Sequence, residues 1–206
     1  MQYGFFFDNT RCTGCKTCEM ACNDYKNLDS GLRYRRVIDY EGGFCIEHPN
    51  GSVTHDCFMY HLSLACNHCS APECVHVCPT GAMHKDERGL VCVDTRKCIG
   101  CGYCTMACPY HAPHIDQHIK KSSKCDGCTD RVAQGQAPIC VEACPLRALD
   151  FDDIEALEQK YPDCTLSIPP LADGSHTIPN MRIKPSPAAV RAEKTGGGHI
   201  ANLEEI

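Results

Sequence analysis

The residues most able to do chemistry in this sequence are its cysteines, which number twenty in 206 residues. Sixteen of them form four groups, and two of these groups share the spacing C-x2-C-x2-C-x3-C. The groups are Cys12, Cys15, Cys18 and Cys22; Cys66, Cys69, Cys74 and Cys78; Cys98, Cys101, Cys104 and Cys108; and Cys125, Cys128, Cys140 and Cys144. Proline follows the last cysteine of the second, third and fourth groups. A C-x2-C-x2-C-x3-C-P run is typical of proteins that hold [4Fe–4S] clusters.

This spacing has a physical reason. Three cysteines at positions i, i+3 and i+6 on a tight loop can reach three corners of one cubane. The fourth lies about one helical turn later and points away, so it ligates the other cluster of a pair. Zinc usually takes two separated C-x-x-C pairs, so the third cysteine of the run favours iron–sulfur clusters. A zinc-stabilised interaction module stays the alternative of a different class.

The central segment 66–108 contains two of the groups, joined by a short link. In the link, Ala82–Lys85 and Leu90–Asp94 have the composition of short strands, and the sequence DERG at 86–89 suits the turn between them. A cluster loop, a hairpin and a second cluster loop in this order resemble a bacterial two-cluster ferredoxin.

The sequence also repeats itself. FFFDNTRCTGCKTCEMAC at 5–22 matches VCVDTRKCIGCGYCTMAC at 91–108, and CVHVCPTGAM at 74–83 matches CVEACPLRAL at 140–149. The inner two groups therefore form one module, and the outer two form a second by circular permutation. In that arrangement Arg147–Phe151 pairs as a strand with Tyr3–Asp8. Asn23 stands where the other groups have proline, which predicts that the helix continues past Cys22.

Sharing of ligands, three from one group and one from its partner, predicts four [4Fe–4S] clusters. The predicted sets are Cys12, Cys15, Cys18 and Cys144 (cluster 1); Cys66, Cys69, Cys74 and Cys108 (cluster 2); Cys98, Cys101, Cys104 and Cys78 (cluster 3); and Cys125, Cys128, Cys140 and Cys22 (cluster 4). Every set is complete, so no three-iron cluster is expected.

The predicted fold class is α+β, with two nested bacterial-ferredoxin-like modules, a β-hairpin insertion and an extended C-terminal tail. The predicted divisions are 1–22 plus 120–151 for the outer module, 23–65 for the insertion, 66–119 for the inner module, and 152–206 for a short helix and an extended arm. Within the insertion, Arg33–Tyr40 and Cys57–Leu64 alternate like strands around a turn near His48–Gly51. We expect the insertion to cap one module or touch a partner, and its aromatic residues, Phe44 among them, to pack in the core.

The composition changes after residue 152. Asp152–Tyr161 suits one short helix with acidic residues in its first turn. Beyond it, repeated prolines and the run Gly196–Gly198 predict no regular structure. Because apolar residues such as Met181 and Ile183 recur there, an arm laid over a partner subunit is favoured over a disordered end.

Charge and hydropathy exclude several classes of function. The formal charge is −6, and four clusters at about −2 each bring it to roughly −14. Without a basic stripe, this charge argues against binding of nucleic acid. No segment approaches the ~20 apolar residues of a membrane span, so no direct membrane insertion is expected. The sequence also lacks a catalytic triad pattern and a phosphate-binding glycine loop, which argues against bond-making chemistry.

Several polar residues lie next to the cysteine groups. Arg11, Lys97 and Lys124 each precede the first cysteine of a group, where they either soften the cluster charge or stay solvated. His68 and His76 lie inside a group whose four ligands are already present. We expect both to be surface residues or hydrogen-bond donors to sulfur rather than ligands.

Four cysteines fall outside the predicted sets: Cys45, Cys57, Cys92 and Cys164. Cys92 takes the strand position that Phe6 has in the first repeat, which indicates a packing role. Cys45 and Cys57 flank the hairpin turn and could form a disulfide if oxidised.

Taken together, residues 3–151 resemble the four-cluster electron-transfer subunits of molybdopterin oxidoreductases, and most closely the iron–sulfur B subunits of the dimethyl sulfoxide reductase type. The stretches that carry the resemblance are RCTGCKTCEMAC, SLACNHC, CPTGAMHK, CIGCGYCTMACPY, KCDGC, DRVAQG, PICVEACPLRALDF and the tail element IKP. Nitrate-reductase relatives carry tryptophan where this chain has Cys101, which favours the sulfoxide-reductase side of the family.

The resemblance implies a non-catalytic subunit with four [4Fe–4S] clusters. It implies transfer of single electrons from an integral membrane, quinol-oxidising anchor to a molybdopterin-containing catalytic subunit that reduces an S- or N-oxide. The module with Cys12–Cys22 would face the catalytic subunit, and the module with Cys66–Cys108 would face the anchor. The complex would be membrane-associated on the periplasmic face, with the cytoplasmic face as the alternative. A partner acting on polysulfide, tetrathionate, selenate or formate is the alternative enzyme.

Overall fold

The computed structural model describes residues 1–205. Its elements in chain order are β1 (Tyr3–Asp8), α1 (Thr17–Tyr25), β2 (Arg36–Gly42), β3 (Cys45–Glu47), β4 (Val53–His55), β5 (Phe58–Leu64), α2 (Glu73–His76), β6 (Met83–Lys85), β7 (Val91–Val93), α3 (Tyr103–Ala107), β8 (His114–Asp116), β9 (Lys121–Ser123), α4 (Thr129–Val132), α5 (Ile139–Glu142), β10 (Leu149–Asp153), α6 (Ile154–Lys160), β11 (Met181–Lys184), α7 (Pro187–Thr195), β12 (His199–Ile200) and a 3-10 turn at Leu203–Glu205. Between residues 1 and 205, no helix combines the length and the apolar character that a membrane crossing needs.

Strand β1 is the centre of the main sheet. It pairs antiparallel with β10, with Phe5 opposite Phe151, and parallel with β11 on its other edge, with Phe5 opposite Met181. The three consecutive phenylalanines of β1 are buried because both faces of this sheet are covered. The predicted strand at 3–8 and its pairing with the segment after Cys144 are confirmed, although β10 begins at Leu149 rather than at residue 147.

The insertion is a long hairpin of β2 and β5, in which Tyr40 lies opposite Tyr60. Its tip is the smaller hairpin of β3 and β4, whose turn spans 48–52, as predicted. Val37 and Leu62 pack in the same apolar core as Phe7, so this hairpin covers the β1 sheet. The prediction that all its aromatic residues pack in the core is wrong for Phe44, which lies exposed in the tip.

Two short hairpins accompany the inner cysteine groups. Strands β6 and β7 pair with His84 opposite Cys92, which confirms the hairpin predicted around 86–89. Helix α3 ends at Ala107, two residues before Pro109, whereas α1 extends to Tyr25 because no proline follows Cys22. The predicted continuation of the first helix is therefore confirmed.

The prediction of an irregular C-terminal arm is wrong, because the tail folds back onto the rest of the same molecule. Strand β11 joins the main sheet, α7 packs on β5, and β12 pairs with β2. Proline at the first turn of α7 forms no break there, since the amide it lacks has no helical partner. The Ser186 hydroxyl accepts a hydrogen bond from the Ala189 N–H and caps this helix. These prolines mark the boundaries of the elements rather than an absence of structure.

The short helix predicted over 152–161 is present in a shorter form. Asp152 and Asp153 end strand β10, and the Asp153 carboxylate accepts a hydrogen bond from the Glu155 N–H as the N-cap of α6. Leu157 of this helix is fully buried.

The residue before β11 ties the tail to two other parts of the fold. The Asn180 N–H donates to the Asn67 carbonyl at 2.9 Å, and the Asn180 carbonyl accepts from the Phe5 N–H at 2.9 Å. The tail therefore joins the first strand to an inner cysteine loop.

Burial of the tail leads to a prediction about stability. Ile183 on β11 is 0% exposed, whereas Val190 on α7 is 39% exposed. We expect Ile183→Ala to lower the free energy of unfolding by about 2–5 kcal/mol, because it leaves a cavity in the core. Val190→Ala, the matched control, should change it by about 0.5 kcal/mol or less. Urea unfolding of the anaerobically prepared protein, followed by circular dichroism, measures both. Equal effects of the two substitutions would contradict the docked tail.

Candidate metal centre

The first cysteine group follows β1 on a loop with left-handed backbone. Gly14 and Lys16 have φ angles of +68° and +57°, and a Cβ on Gly14 would lie 2.5 Å from the His61 ring. Glycine is therefore required at this turn. The loop and the start of β10 enclose a pocket of about 340 Å³. Its cysteines are Cys12, Cys15, Cys18 and Cys144.

A second pocket has the same construction. It measures about 350 Å³ and lies between the loop before α3 and the start of β6. Its cysteines are Cys98, Cys101, Cys104 and Cys78. Each pocket also contains one serine next to a cysteine: Ser63 Oγ lies 3.3 Å from Cys18 Sγ, and Ser122 Oγ lies 3.3 Å from Cys104 Sγ. The internal repeat of the sequence is thus also a repeat of local structure.

The remaining eight cysteines of the groups are mostly buried side by side. Burial and the neighbouring Cys66 raise the pKa values of Cys69 and Cys74 to about 12, and Cys108 acts on both. Burial and Cys140 raise the pKa of Cys22 to about 12. Two further sets are therefore contiguous in space: Cys66, Cys69, Cys74 and Cys108, and Cys22, Cys125, Cys128 and Cys140.

In each of the four sets, three cysteines come from one segment and the fourth from a segment distant in sequence. Cys144 joins the set of Cys12, and Cys22 joins the set of Cys125. The other four cysteines lie apart from these sets. Cys92 is only partly buried. Cys45 and Cys57 are exposed free thiols whose sulfurs are 3.9 Å apart.

Hydrogen bonds to sulfur prepare these thiols for a negative charge. Backbone amides of Ala148, Met83, Ser122 and Gly127 donate to the sulfurs of Cys144, Cys78, Cys98 and Cys125 at 3.3–3.4 Å. The Thr17 hydroxyl donates to Cys15 at 3.4 Å and lowers its pKa. N–H and O–H donors aimed at sulfur stabilise the thiolate form, which is the form that binds metal.

The donor set suits a polynuclear iron centre. Within 1–205, no three or more histidine, cysteine or acidic side chains lie close enough to hold one metal ion between them. The sulfurs instead surround pockets with apolar walls, such as those formed by Phe7 and Leu149. Four thiolates placed around such a pocket are the ligands of a [4Fe–4S] cluster, and when bound the cluster accepts and returns one electron.

One of the three cations that precede a cysteine group is buried among the cysteines. Lys124 donates to the carbonyls of Val91 and Cys125. Burial lowers its pKa, but the thiolates of Cys66 and Cys125 outweigh this and raise the pKa. Arg11 and Lys97 are exposed. The prediction that a cation softens the cluster charge therefore applies to Lys124 alone of these three.

His68 lies at the junction between the outer and inner cysteine loops. Its ring is fully buried, and its Nδ1 accepts a hydrogen bond from the Val91 N–H at 2.9 Å. Nε2 therefore carries the proton and faces Cys125 Sγ at 3.9 Å. Burial lowers the pKa of His68, which keeps the ring neutral. His76 is exposed beside Glu73, so the expected contact with sulfur is made by His68 only.

Sequence reasoning missed one residue that faces the cysteines, the buried Arg35. It belongs to the insertion and stands at no motif position, so spacing gives no signal for it. Its neighbours become visible only when β2 is folded onto the first cysteine loop.

Comparison with known proteins agrees with this geometry. A family model described as a 4Fe-4S dicluster domain matches residues 57–154, which contain three of the four cysteine groups. The B subunit of the anaerobic dimethyl sulfoxide reductase of Escherichia coli K12 is 52% identical over 205 residues, covering 100% of this chain and 98% of that relative.

This protein belongs to the family of anaerobic dimethyl sulfoxide reductase B subunits. The family also has more distant relatives. The B subunit of the polysulfide reductase of Wolinella succinogenes is 35% identical over 188 residues, 90% of this chain and 95% of that relative. The thiosulfate reductase electron transfer subunit PhsB of Salmonella typhi is 38% identical over 158 residues, 76% of this chain and 79% of that relative. The resemblance read from the cysteine motifs is thereby confirmed.

Two glycines of the third cysteine loop lead to a prediction about this family member. Gly100 and Gly102 both have positive φ, +73° and +80°. A Cβ on Gly100 would lie 2.2 Å from the Lys120 carbonyl oxygen, whereas one on Gly102 meets nothing within 4 Å. Gly102→Ala should have only the left-handed backbone penalty of about 1–2 kcal/mol. Gly100→Ala should also displace the loop and lower the iron content of the purified protein. Equal iron content in the two variants, measured by colorimetric assay, would argue against a tightly held loop.

Proposed function

We propose that this chain is a non-catalytic electron-transfer subunit that holds four [4Fe–4S] clusters. The proposed ligands are Cys12, Cys15, Cys18 and Cys144; Cys66, Cys69, Cys74 and Cys108; Cys98, Cys101, Cys104 and Cys78; and Cys125, Cys128, Cys140 and Cys22. The observation that carries this proposal is that each set draws three cysteines from one loop and one from a distant segment. Such sharing makes two nested ferredoxin-like modules, with 1–22 and 120–151 in the outer one and 66–119 in the inner one.

The four sets form a continuous row through the molecule. Cys18 shares an apolar core with Cys140, which links the sets of Cys12 and Cys125. Cys125 lies in one apolar cluster with Cys66, and Cys74 lies in another with Cys104. Each set therefore touches the next, in the order Cys12, Cys125, Cys66 and Cys98. Side chains packed this closely support transfer of single electrons along the row.

The two ends of the row reach the surface. Cys15 in the first set and Cys101 in the last are exposed, whereas Cys22, Cys66 and Cys125 in the middle sets are buried. Exposed apolar side chains accompany both ends: Met20 and Leu146 near one, Ile99, Tyr103 and Met106 near the other. Apolar surface of this kind supports contact with other proteins. Electrons would enter at one end and leave at the other.

The relatives suggest which partners cover these ends. Full-length similarity to the B subunit of dimethyl sulfoxide reductase supports a molybdopterin-containing catalytic subunit at the Cys12 end. An integral membrane subunit that oxidises quinol would then cover the Cys101 end. In this proposal the complex is bound to the membrane, on its periplasmic face, and reduces dimethyl sulfoxide or a related S- or N-oxide.

The ligand sharing can be tested by pairs of substitutions. Under the proposal, Cys15→Ala with Cys144→Ala removes two ligands of one cluster, and Cys128→Ala with Cys144→Ala removes one ligand from each of two clusters. We expect the first double variant to alter one paramagnetic centre and the second to alter two. Electron paramagnetic resonance of the reduced complex counts the altered centres. Ligands drawn only from each local group would give the reverse result.

The proposed acceptor is tested with the complete complex. We expect the co-purified subunits to reduce dimethyl sulfoxide with quinol as electron donor. A complex containing the Cys15→Ala, Cys144→Ala variant should lose most of that activity, while dye-dependent reduction by the catalytic subunit alone should persist. The lower identity to the polysulfide reductase subunit makes polysulfide the comparison substrate. Reduction of polysulfide without dimethyl sulfoxide would reassign the partner enzyme.

A further inference from the structure

Arg35 is a buried cation that the ligand assignment does not use. It stands directly before β2 and is 2% exposed. One terminal nitrogen, NH1, donates to Ser63 Oγ at 3.0 Å and lies 3.3 Å from the Ser63 carbonyl. Its Nε is buried and has no hydrogen-bond partner within residues 1–205. The guanidinium therefore has donor capacity that protein oxygen atoms leave unused.

The negative groups around Arg35 are cysteine sulfurs. The thiolates that act on its charge are those of Cys140, Cys18, Cys125 and Cys22, in decreasing order. Burial disfavours the charged form, but these thiolates outweigh burial and raise the pKa of Arg35. The effect is mutual, because Arg35 acts to lower the pKa of Cys18 and of Cys22. A buried cation is stable only with nearby negative charge, and here the cysteines supply it.

Two contacts fix the guanidinium between the two outer sets. Ser63 Oγ, which accepts from Arg35, lies 3.3 Å from Cys18 Sγ and so connects the cation to the first set. The guanidinium carbon also lies 5.0 Å from the centre of the Phe5 ring, which holds the planar group by a cation–π contact. Cys125 and Cys140, which also act on the Arg35 charge, belong to the neighbouring set.

We propose that Arg35 is a positioning residue that serves as a shared counter-cation for the two outer cysteine sets and raises the reduction potentials of both clusters they hold. Adding an electron makes a cluster and its thiolates more negative, and a fixed positive charge in a low-dielectric interior stabilises that state. The guanidinium stays protonated at all working pH values, so this stabilisation is permanent. This inference rests on the proposed ligand sets.

The adjacent arginine provides a matched control. Arg36 is half-buried, its guanidinium donates to the Tyr110 carbonyl, and the one cysteine that acts on its charge is Cys108 of the inner module. Arg36→Gln removes the same charge one residue away, but on the other side of the strand. Arg35→Lys keeps the charge at the buried site with a smaller head group, which separates charge from packing.

The experiment is a potentiometric titration of the complete complex, monitored by electron paramagnetic resonance, with iron analysis of each sample. We expect Arg35→Gln to lower the midpoints of two of the four centres by at least a tenfold change in equilibrium constant, which is about 59 mV for one electron. The other two midpoints should stay in place. Arg35→Lys should retain most of the potential, and Arg36→Gln should leave the outer pair unchanged.

Each other outcome is decisive. Intact clusters with unchanged midpoints in Arg35→Gln, or equal lowering in Arg35→Gln and Arg35→Lys, would overturn the role of the charge. If Arg35→Gln fails to retain its clusters, retention in Arg35→Lys supports the counter-cation, and failure of both variants overturns it in favour of packing. A wild-type complex without four titrating centres would overturn the proposed function, and this inference with it.

Discussion

Thiolates held in a protein interior are the constraint on which this structure depends. Burial raises the pKa of Cys12 to about 11 and that of Cys22 to about 12, because a charged sulfur loses its hydration there. A fold that places so many cysteines in its core must therefore supply other sources of stabilisation. It supplies three: amide and hydroxyl hydrogen bonds to sulfur, the buried cations Lys124 and Arg35, and metal that replaces the thiol protons when it binds.

The two buried cations divide this task between them. Lys124 lies among Cys66, Cys125, Cys92 and Cys74, and Arg35 lies among the cysteines of the outer sets. Lys124 is delivered by the loop that it precedes, while Arg35 is delivered by the long hairpin of the insertion. That hairpin therefore does more than cover the main sheet, since it brings a positive charge into the buried region where the outer cysteines meet.

The tail has a comparable structural purpose. Strand β1 would be an edge strand without β11, and an uncovered edge exposes unpaired amides. By docking there, the tail also places Asn180 against the loop of Cys66 and Cys69, where its side-chain amide donates to the His68 carbonyl at 2.7 Å. Residues from both ends of the sequence thus fix the junction at which the outer and inner cysteine sets meet, and His68 occupies that junction.

Much of the local structure follows from the sequence. The cysteine spacing, the strand at Tyr3–Asp8, the hairpin around 86–89 and the continuation of α1 past Cys22 all depend on neighbours within a few residues, and their turns need particular residue types such as Gly14. The repeat even indicates which distant segments meet, because each copy carries the same set of positions. Family membership could be read in the same way, since the motifs themselves are the shared feature.

The tertiary structure alone decided the rest. The prolines of the tail are breakers in isolation, but they become helix and strand boundaries once Met181 and Ile183 have a sheet to pack against. Arg35 has no local signal, because the value of a buried charge is set by groups far away in sequence. Sequence by itself thus determined which residues can bind metal and how their loops turn. Only the folded protein determined which charges surround them, since electrostatic energy depends on distance in space and not along the sequence.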